Sequence, residues 1–220
     1  HAAHVAREIP ALREDNLVIE PMAMDSAPAI SLAAAIIAQR DPEAIMGSFA
    51  ADHVIRNVRA FAAAVDSAIA GAEEGYLMTI GIQPTRPDTG YGYVQCGDQL
   101  GSGPRRRVLR FKEKPDRDLA QEYVASGEYL WNASMFVWRA ETYLAELRKR
   151  DLGMHDTLRE IAAAWDTDAR EQTLSRLWPT LKKIAIEYLV MEPAAEEGLV
   201  ATTPGTFDWS DVGDFNALGE

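Results

Sequence analysis

The segment Phe111-Lys112-Glu113-Lys114-Pro115 places a carboxylate and two ammonium groups where an extended stretch meets a proline. Strand alternation puts Phe111 and Glu113 on one face and Lys112 and Lys114 on the other, unless Pro115 twists the strand end. A glutamate at such an end can accept two hydrogen bonds from sugar hydroxyls, and a lysine can neutralise a phosphate as a point charge. A solvated charge pair is the alternative. Asp52 falls just beyond a short apolar stretch, the kind of strand end where open α/β sheets bind ligands. Asp211 follows a second extended stretch, between Trp209 and Gly213. Two carboxylates at separate strand ends suit Mg²⁺, which takes one or two carboxylates together with substrate phosphates. Each also has a structural alternative. Asp52 can cap the next turn, and Asp211 can cap a helix from Val212, with Asp208 competing two residues earlier. His53 reads as a core or loop histidine. Gly90 and Gly92 flank Tyr91 in Thr89-Gly90-Tyr91-Gly92-Tyr93, and glycines in a strand mark either close approach of a ligand to the backbone or a bulge.

The elements that must position these groups follow from periodicity and punctuation. Val18-Ile19 reads as a short strand stopped by Glu20-Pro21. Asp25 or Ser26 caps a helix with Pro28 in its first turn, where the missing N–H costs nothing. Ile30, Ala33, Ala34 and Ile37 give that helix a packing face. Strands are expected at Ala44 to Phe49 and Tyr76 to Ile82, with a helix from Arg56 to Ala70 between them. Strand–helix–strand order of this kind indicates a mixed, mostly parallel, Rossmann-like α/β sheet flanked by helices. Thr89 to Tyr93 and Val108 to Phe111 read as extended around a polar insert, Gly97 to Arg107, expected to be a mobile surface loop. Its Arg105-Arg106-Arg107 run reads as solvated, with anion binding the alternative. Helices are expected at Asp118 to Ser126, closed by Gly127, then Ala140 to Arg150, Thr157 to Trp165 and Glu171 to Leu177. Strands are expected at Tyr129 to Trp138, Ile184 to Met191 and Leu199 to Thr203. Trp131 and Trp138 read as core aromatics. The whole chain, residues 1–220, reads as one domain.

Composition narrows the partners. With 22 Lys plus Arg against 34 Asp plus Glu, the net charge of −12 argues against nucleic acid, whose binding relies on basic surfaces. No apolar run is long enough to span a bilayer, so a membrane partner is not expected. A single cysteine, Cys96, cannot form an internal disulfide, which points to the reducing cytoplasm. The sequence contains no Walker A pattern, no Cys/His zinc spacing and no Gly-x-Ser-x-Gly elbow. A homodimer is left open.

Read in order, several stretches resemble the bacterial mannose-1-phosphate guanylyltransferases, a branch of the sugar nucleotidyltransferases. They are Glu20-Pro with Asp25-Ser-Ala-Pro-Ala, Ala51-Asp-His, Gly81-Ile-Gln-Pro-Thr-Arg-Pro-Asp-Thr-Gly-Tyr-Gly-Tyr, Phe111-Lys-Glu-Lys-Pro-Asp, Tyr129-Leu-Trp-Asn-Ala-Ser-Met-Phe and Trp209-Ser-Asp-Val-Gly. The resemblance implies GTP and mannose 1-phosphate as substrates and Mg²⁺ as cofactor. It implies that Asp52 and Asp211 hold the metal, Glu113 the sugar hydroxyls and Lys114 the sugar phosphate. Asn132, Gly92 and Gly90 would lie along the sugar, and Glu20, Asp25 and Ser26 near the nucleotide base. Ala133-Ser134 stands where the family usually has Ser-Gly.

The family's glycine-rich, arginine-containing phosphate loop has no counterpart in these residues. The chain is therefore expected to be incomplete at its N-terminus and catalytically poor by itself. The reaction implied is attack by a phosphate oxygen of mannose 1-phosphate on the α-phosphate of GTP, giving GDP-mannose and pyrophosphate. Two rivals remain: a non-catalytic sugar-nucleotide-binding or regulatory subunit of the same fold, and a metal-dependent glycosyltransferase. The second predicts an Asp-x-Asp motif that Ala51-Asp52-His53 does not supply.

Overall fold

Capping and apolar spacing account for most of the elements in the computed structural model, which describes residues 2–211. After a short N-terminal helix, α1 (Ala2–Glu8), Asp25 caps α2 (Ser26–Arg40) by accepting from the Ser26 N–H at 2.8 Å. Strand β1 (Ile45–Ser48) leads through a turn into the three-residue β2 (His53–Ile55). Asn57 then caps α3 (Val58–Glu73), accepting from the Ala60 N–H at 3.1 Å. The fully buried β3 (Leu77–Ile82) follows, then the hairpin β4 (Gly92–Gln99) and β5 (Arg106–Lys112). Asp116 caps α4 (Arg117–Ser126), and Gly127 closes it in the left-handed region at φ 68°. The long β6 (Tyr129–Arg139) runs directly into α5 (Ala140–Arg150), α6 (Leu152–Ala164) and α7 (Arg170–Leu177). A π-helical turn at Glu187–Met191 continues into α8 (Glu192–Glu196), before β7 (Val200–Gly205) and β8 (Trp209–Asp211).

Six strands form one sheet in the order β1-β6-β3-β7-β5-β4, while β2 and β8 form a separate two-stranded ribbon. Strands β1, β3 and β7 run in one direction, as crossover connections require. Yet β6 lies antiparallel between β1 and β3, and among the described residues β3 with β7 is the parallel pairing. The mixed α/β class therefore stands, with fewer parallel pairings than the strand–helix order implies. Residues of β6 alternate between the two cores that sandwich the sheet. Leu130, Phe136 and Trp138 pack with α2, α5 and α6, whereas Trp131, Ala133, Met135 and Val137 pack on the side of α3. Both Trp131 and Trp138 are core aromatics, as expected. Among the described residues, no helix is long and apolar enough to cross a membrane.

Several expectations are corrected. Val18 and Ile19 form no strand; they are exposed, and burial is what would have made their apolar character decisive. The expected loop at Gly97 to Arg107 is the tip of the β4–β5 hairpin: residues 100–105 form the turn, its two ends are strand, and its arginines are not solvated but satisfy neighbouring groups. Arg105 pairs with Glu74 at 2.7 Å, Arg106 donates to the Gly97 carbonyl at 2.9 Å, and Arg107 donates to the Gly198 carbonyl. The extended stretch expected at Ile184 to Met191 is instead the π turn. Its buried Ile186, Leu189 and Val190 fall at helical spacing, which the β-branched composition obscures. Val212 and Gly213, with the helix that Asp211 could cap, lie outside the described residues.

Candidate active site

A polar cleft of about 170 Å³ opens where the large sheet meets the β2–β8 ribbon. It is lined by Gly90, Gly92, Glu113, Lys114, Asn132 and Asp211, six of the residues singled out in the sequence. Tyr91, His53, Ala133, Ser134 and Trp209 complete the wall. The groups come from distant parts of the chain, and strand register is what assembles them.

Asn132 sits in β6 with Gly81 of β3 opposite it on one side and Gly92 of β4 on the other. A Cβ on Gly92 would run into the Glu113 carboxylate and come within 3.3 Å of the Asn132 Cβ. Glycine there is thus a packing requirement, and it lets Glu113 lie against the backbone. The strict alternation expected of Glu113 and Lys114 does not hold. Strand β5 stops at Lys112, and Lys114 adopts a left-handed φ of 44°, so both side chains reach the cleft. Their charges lie 3.9 Å apart, with Lys114 on the exposed rim and Glu113 half-buried. Burial raises the Glu113 carboxyl above the usual carboxylate range, and the nearby Glu187 adds to this against the opposing pull of Lys114.

Asp211 enters through the ribbon, directly opposite His53 in the β2–β8 register. The Tyr91 hydroxyl donates to Asp211 Oδ1, and the Tyr91 ring packs edge-on against both Trp131 and Trp209. Burial holds the Tyr91 hydroxyl protonated, well above its ordinary pKa, and the bond to Asp211 reinforces this. Asp52 does not line the cleft. It is exposed in the turn one residue ahead of His53, which does. Burial lowers the His53 pKa, opposed by the charges of Asp52 and Asp211, so both carboxylates lie within electrostatic reach of one ring. The donor pair offers only hard oxygen ligands, the chemistry Mg²⁺ prefers.

The residues expected near a nucleotide base lie elsewhere. Glu20 is half-buried outside the cleft, and Asp25 is committed to capping α2 from a backbone φ of 72°. Ser26 Oγ accepts from the Ile186 N–H at 2.9 Å and so ties the start of α2 to the π turn. That turn carries a carboxylate missed in the sequence. Glu187 is buried and accepts from Ser134 Oγ at 2.8 Å and from Asn132 Nδ2 at 3.3 Å. Tyr91, Trp209 and Ser134 were missed as well. The flanking glycines were the available signal for Tyr91. Ser134 is held at φ 50°, a region that favours glycine.

Comparison with known proteins agrees with this architecture. A family model described as "Nucleotidyl transferase" matches residues 2–220. The chain is 41% identical over 211 residues to the xanthan biosynthesis protein XanB of Xanthomonas campestris pv. campestris, covering 94% of this chain and 43% of that protein. It is 38% identical over 229 residues to a mannose-1-phosphate guanylyltransferase of Escherichia coli, covering 100% of this chain and 47% of the other. The chain therefore spans about half the length of these curated relatives. Among solved structures, one described as a mannose-1-phosphate geranyltransferase from Thermus thermophilus superposes with a TM-score of 0.84 at 32% identity, covering 98% of this chain and 59% of that one.

Proposed function

Because the chain belongs to the nucleotidyl transferase family, we propose that it carries the sugar-phosphate side of a mannose-1-phosphate guanylyltransferase. The observation that carries this reading is the convergence of Glu113, Lys114, Asn132 and Gly92 on one cleft, next to Asp211. The name of the Escherichia coli relative supports mannose 1-phosphate as the sugar and a guanine nucleotide as the donor. In this reading Lys114 neutralises the phosphate of mannose 1-phosphate, and Glu113 and Asn132 bind the sugar hydroxyls, with Gly90 and Gly92 leaving room for the ring. A phosphate oxygen of the sugar attacks the α-phosphorus of GTP. The new P–O bond forms as the bond to the β-phosphate oxygen breaks, releasing pyrophosphate. With no covalent enzyme intermediate, catalysis rests on positioning and charge.

Asp52 and Asp211 are the residues that would hold Mg²⁺, whose charge offsets that of the phosphates when it is bound. Glu20 is the side chain left to face a base, since Asp25 caps α2 and the Ser26 hydroxyl is engaged by Ile186. The test is turnover by the full-length protein with Mg²⁺, GTP and mannose 1-phosphate, monitored as GDP-mannose and pyrophosphate formed in equal amounts. Faster turnover of glucose 1-phosphate with UTP or dTTP would sink the assignment.

A further inference from the structure

Glu187 is buried, yet among the described residues no lysine or arginine forms a salt bridge with it. A carboxylate kept inside a protein for stability is normally matched by a cation. This one is matched by neutral donors, and both belong to the wall of the cleft. We propose that Glu187 is a positioning residue for the sugar side of the cleft, acting through Asn132 and Ser134. The inference rests on reading the cleft as a sugar-phosphate site.

The hydrogen-bond inventory carries the argument. Glu187 Oε1 accepts from the Ser134 hydroxyl, so the Asn132 amide must turn its NH₂ toward that same oxygen. The other end is fixed as well, because Asn132 Oδ1 accepts from the Ser134 N–H at 3.2 Å. The amide is therefore locked in one of its two flips, with one N–H still free to donate to a ligand oxygen. Were the amide flipped, an acceptor would meet an acceptor. The same Glu187 oxygen takes the Ser134 hydroxyl, which fastens a residue held in the left-handed region. The carboxylate is itself anchored. The Ile186 N–H donates to Ser26 Oγ, and the Ala27 N–H donates to the Ile184 carbonyl at 3.1 Å. A π turn, which often marks a functional place in a helix, thus delivers one side chain between α2 and β6.

The experiment is a cycle of variants in the full-length protein, read on the separate KM values of mannose 1-phosphate and GTP. Glu187→Ala should raise the KM for mannose 1-phosphate about tenfold while GTP changes little, as expected for one lost ordering interaction. Glu187→Gln retains an acceptor and should recover most of that loss. In an Asn132→Ala background, Glu187→Ala should cost much less than in the wild type, because only its hold on Ser134 remains to be lost. Additive losses, or equal losses for both substrates, would overturn the proposal. A second readout needs no turnover. The Asn132 side-chain amide in the wild type should show one slowly exchanging proton by NMR, and Glu187→Ala should abolish its protection. Two equally fast protons in the wild type would overturn the proposal even if Glu187→Ala does not fold. A wild type that makes no GDP-mannose would instead sink the functional reading and leave the amide measurement to decide on Glu187.

Discussion

At the scale of single residues, the cleft holds more negative charge than its one lysine offsets. Glu113 is pressed by burial first and by Glu187 second, and Lys114 at 3.9 Å compensates only from the exposed rim. The folded carboxyl is thereby raised above its unfolded value, so holding it ionised costs stability. That cost is absent below the ordinary carboxylate pKa of about 4.3, grows as pH rises through the folded value, and is constant beyond it. Glu113→Gln should therefore melt at a higher temperature than the wild type at pH 7, with the gap closing near pH 4. A variant less stable than the wild type at pH 7 would show that the carboxylate is a net support. A site that costs stability in the empty protein is what ligand binding is expected to repay.

At the scale of elements, close backbone approach decides the geometry of the cleft. Gly81 in β3 lies opposite Asn132, beside the register shift between Thr79 and Gly81. A Cβ there would sit 2.8 Å from the Leu130 Cβ and 3.0 Å from Thr202 Oγ1, in the middle of the sheet. Gly81→Ala should destabilise the fold by about 1–3 kcal/mol, the usual range for overpacking, and move β6 away from β3. Thermal unfolding measures the first effect; a variant as stable as the wild type would show that β6 has room to give. This dependence on register explains what the sequence made legible. The glycines at 90 and 92, the charges at 113 and 114 and the cap at Asp25 are local signals, read within a few residues. The contacts of Tyr91 with Asp211 and of Glu187 with Asn132 join residues 120 and 55 positions apart, and no local pattern reports them. Strands β2 and β8 are three residues each, too short to show a period. Helical spacing in the π turn was present but lay under residues that favour strands.

At the scale of the whole molecule, the cleft depends on a sheet whose strand β4 pairs with both β5 and β6. Gly92 begins that strand, and Cys96, the only cysteine of the chain, lies in its middle. Cys96 is 7% exposed and packs in the core shared with Val108, Phe111 and Leu130. Burial raises its thiol above the ordinary value, and the opposing charge of Arg106 only partly offsets this. The thiolate is the reactive species, so native Cys96 is protected twice, by access and by ionisation. Reaching it requires β4 to leave one of its neighbours, and that opening would also dismantle the wall formed by Gly92 and Asn132. Labelling by a thiol reagent at neutral pH should therefore follow global unfolding, slower in the native chain than in denaturant by a factor on the order of a thousand or more. The same upward shift makes the buried thiol a liability in alkali, because stability contributed by its neutral form is lost as pH climbs above about 8.5. Prompt labelling without denaturant would show that β4 opens on its own, and that the cleft is assembled on a strand less secure than its pairing on both sides indicates.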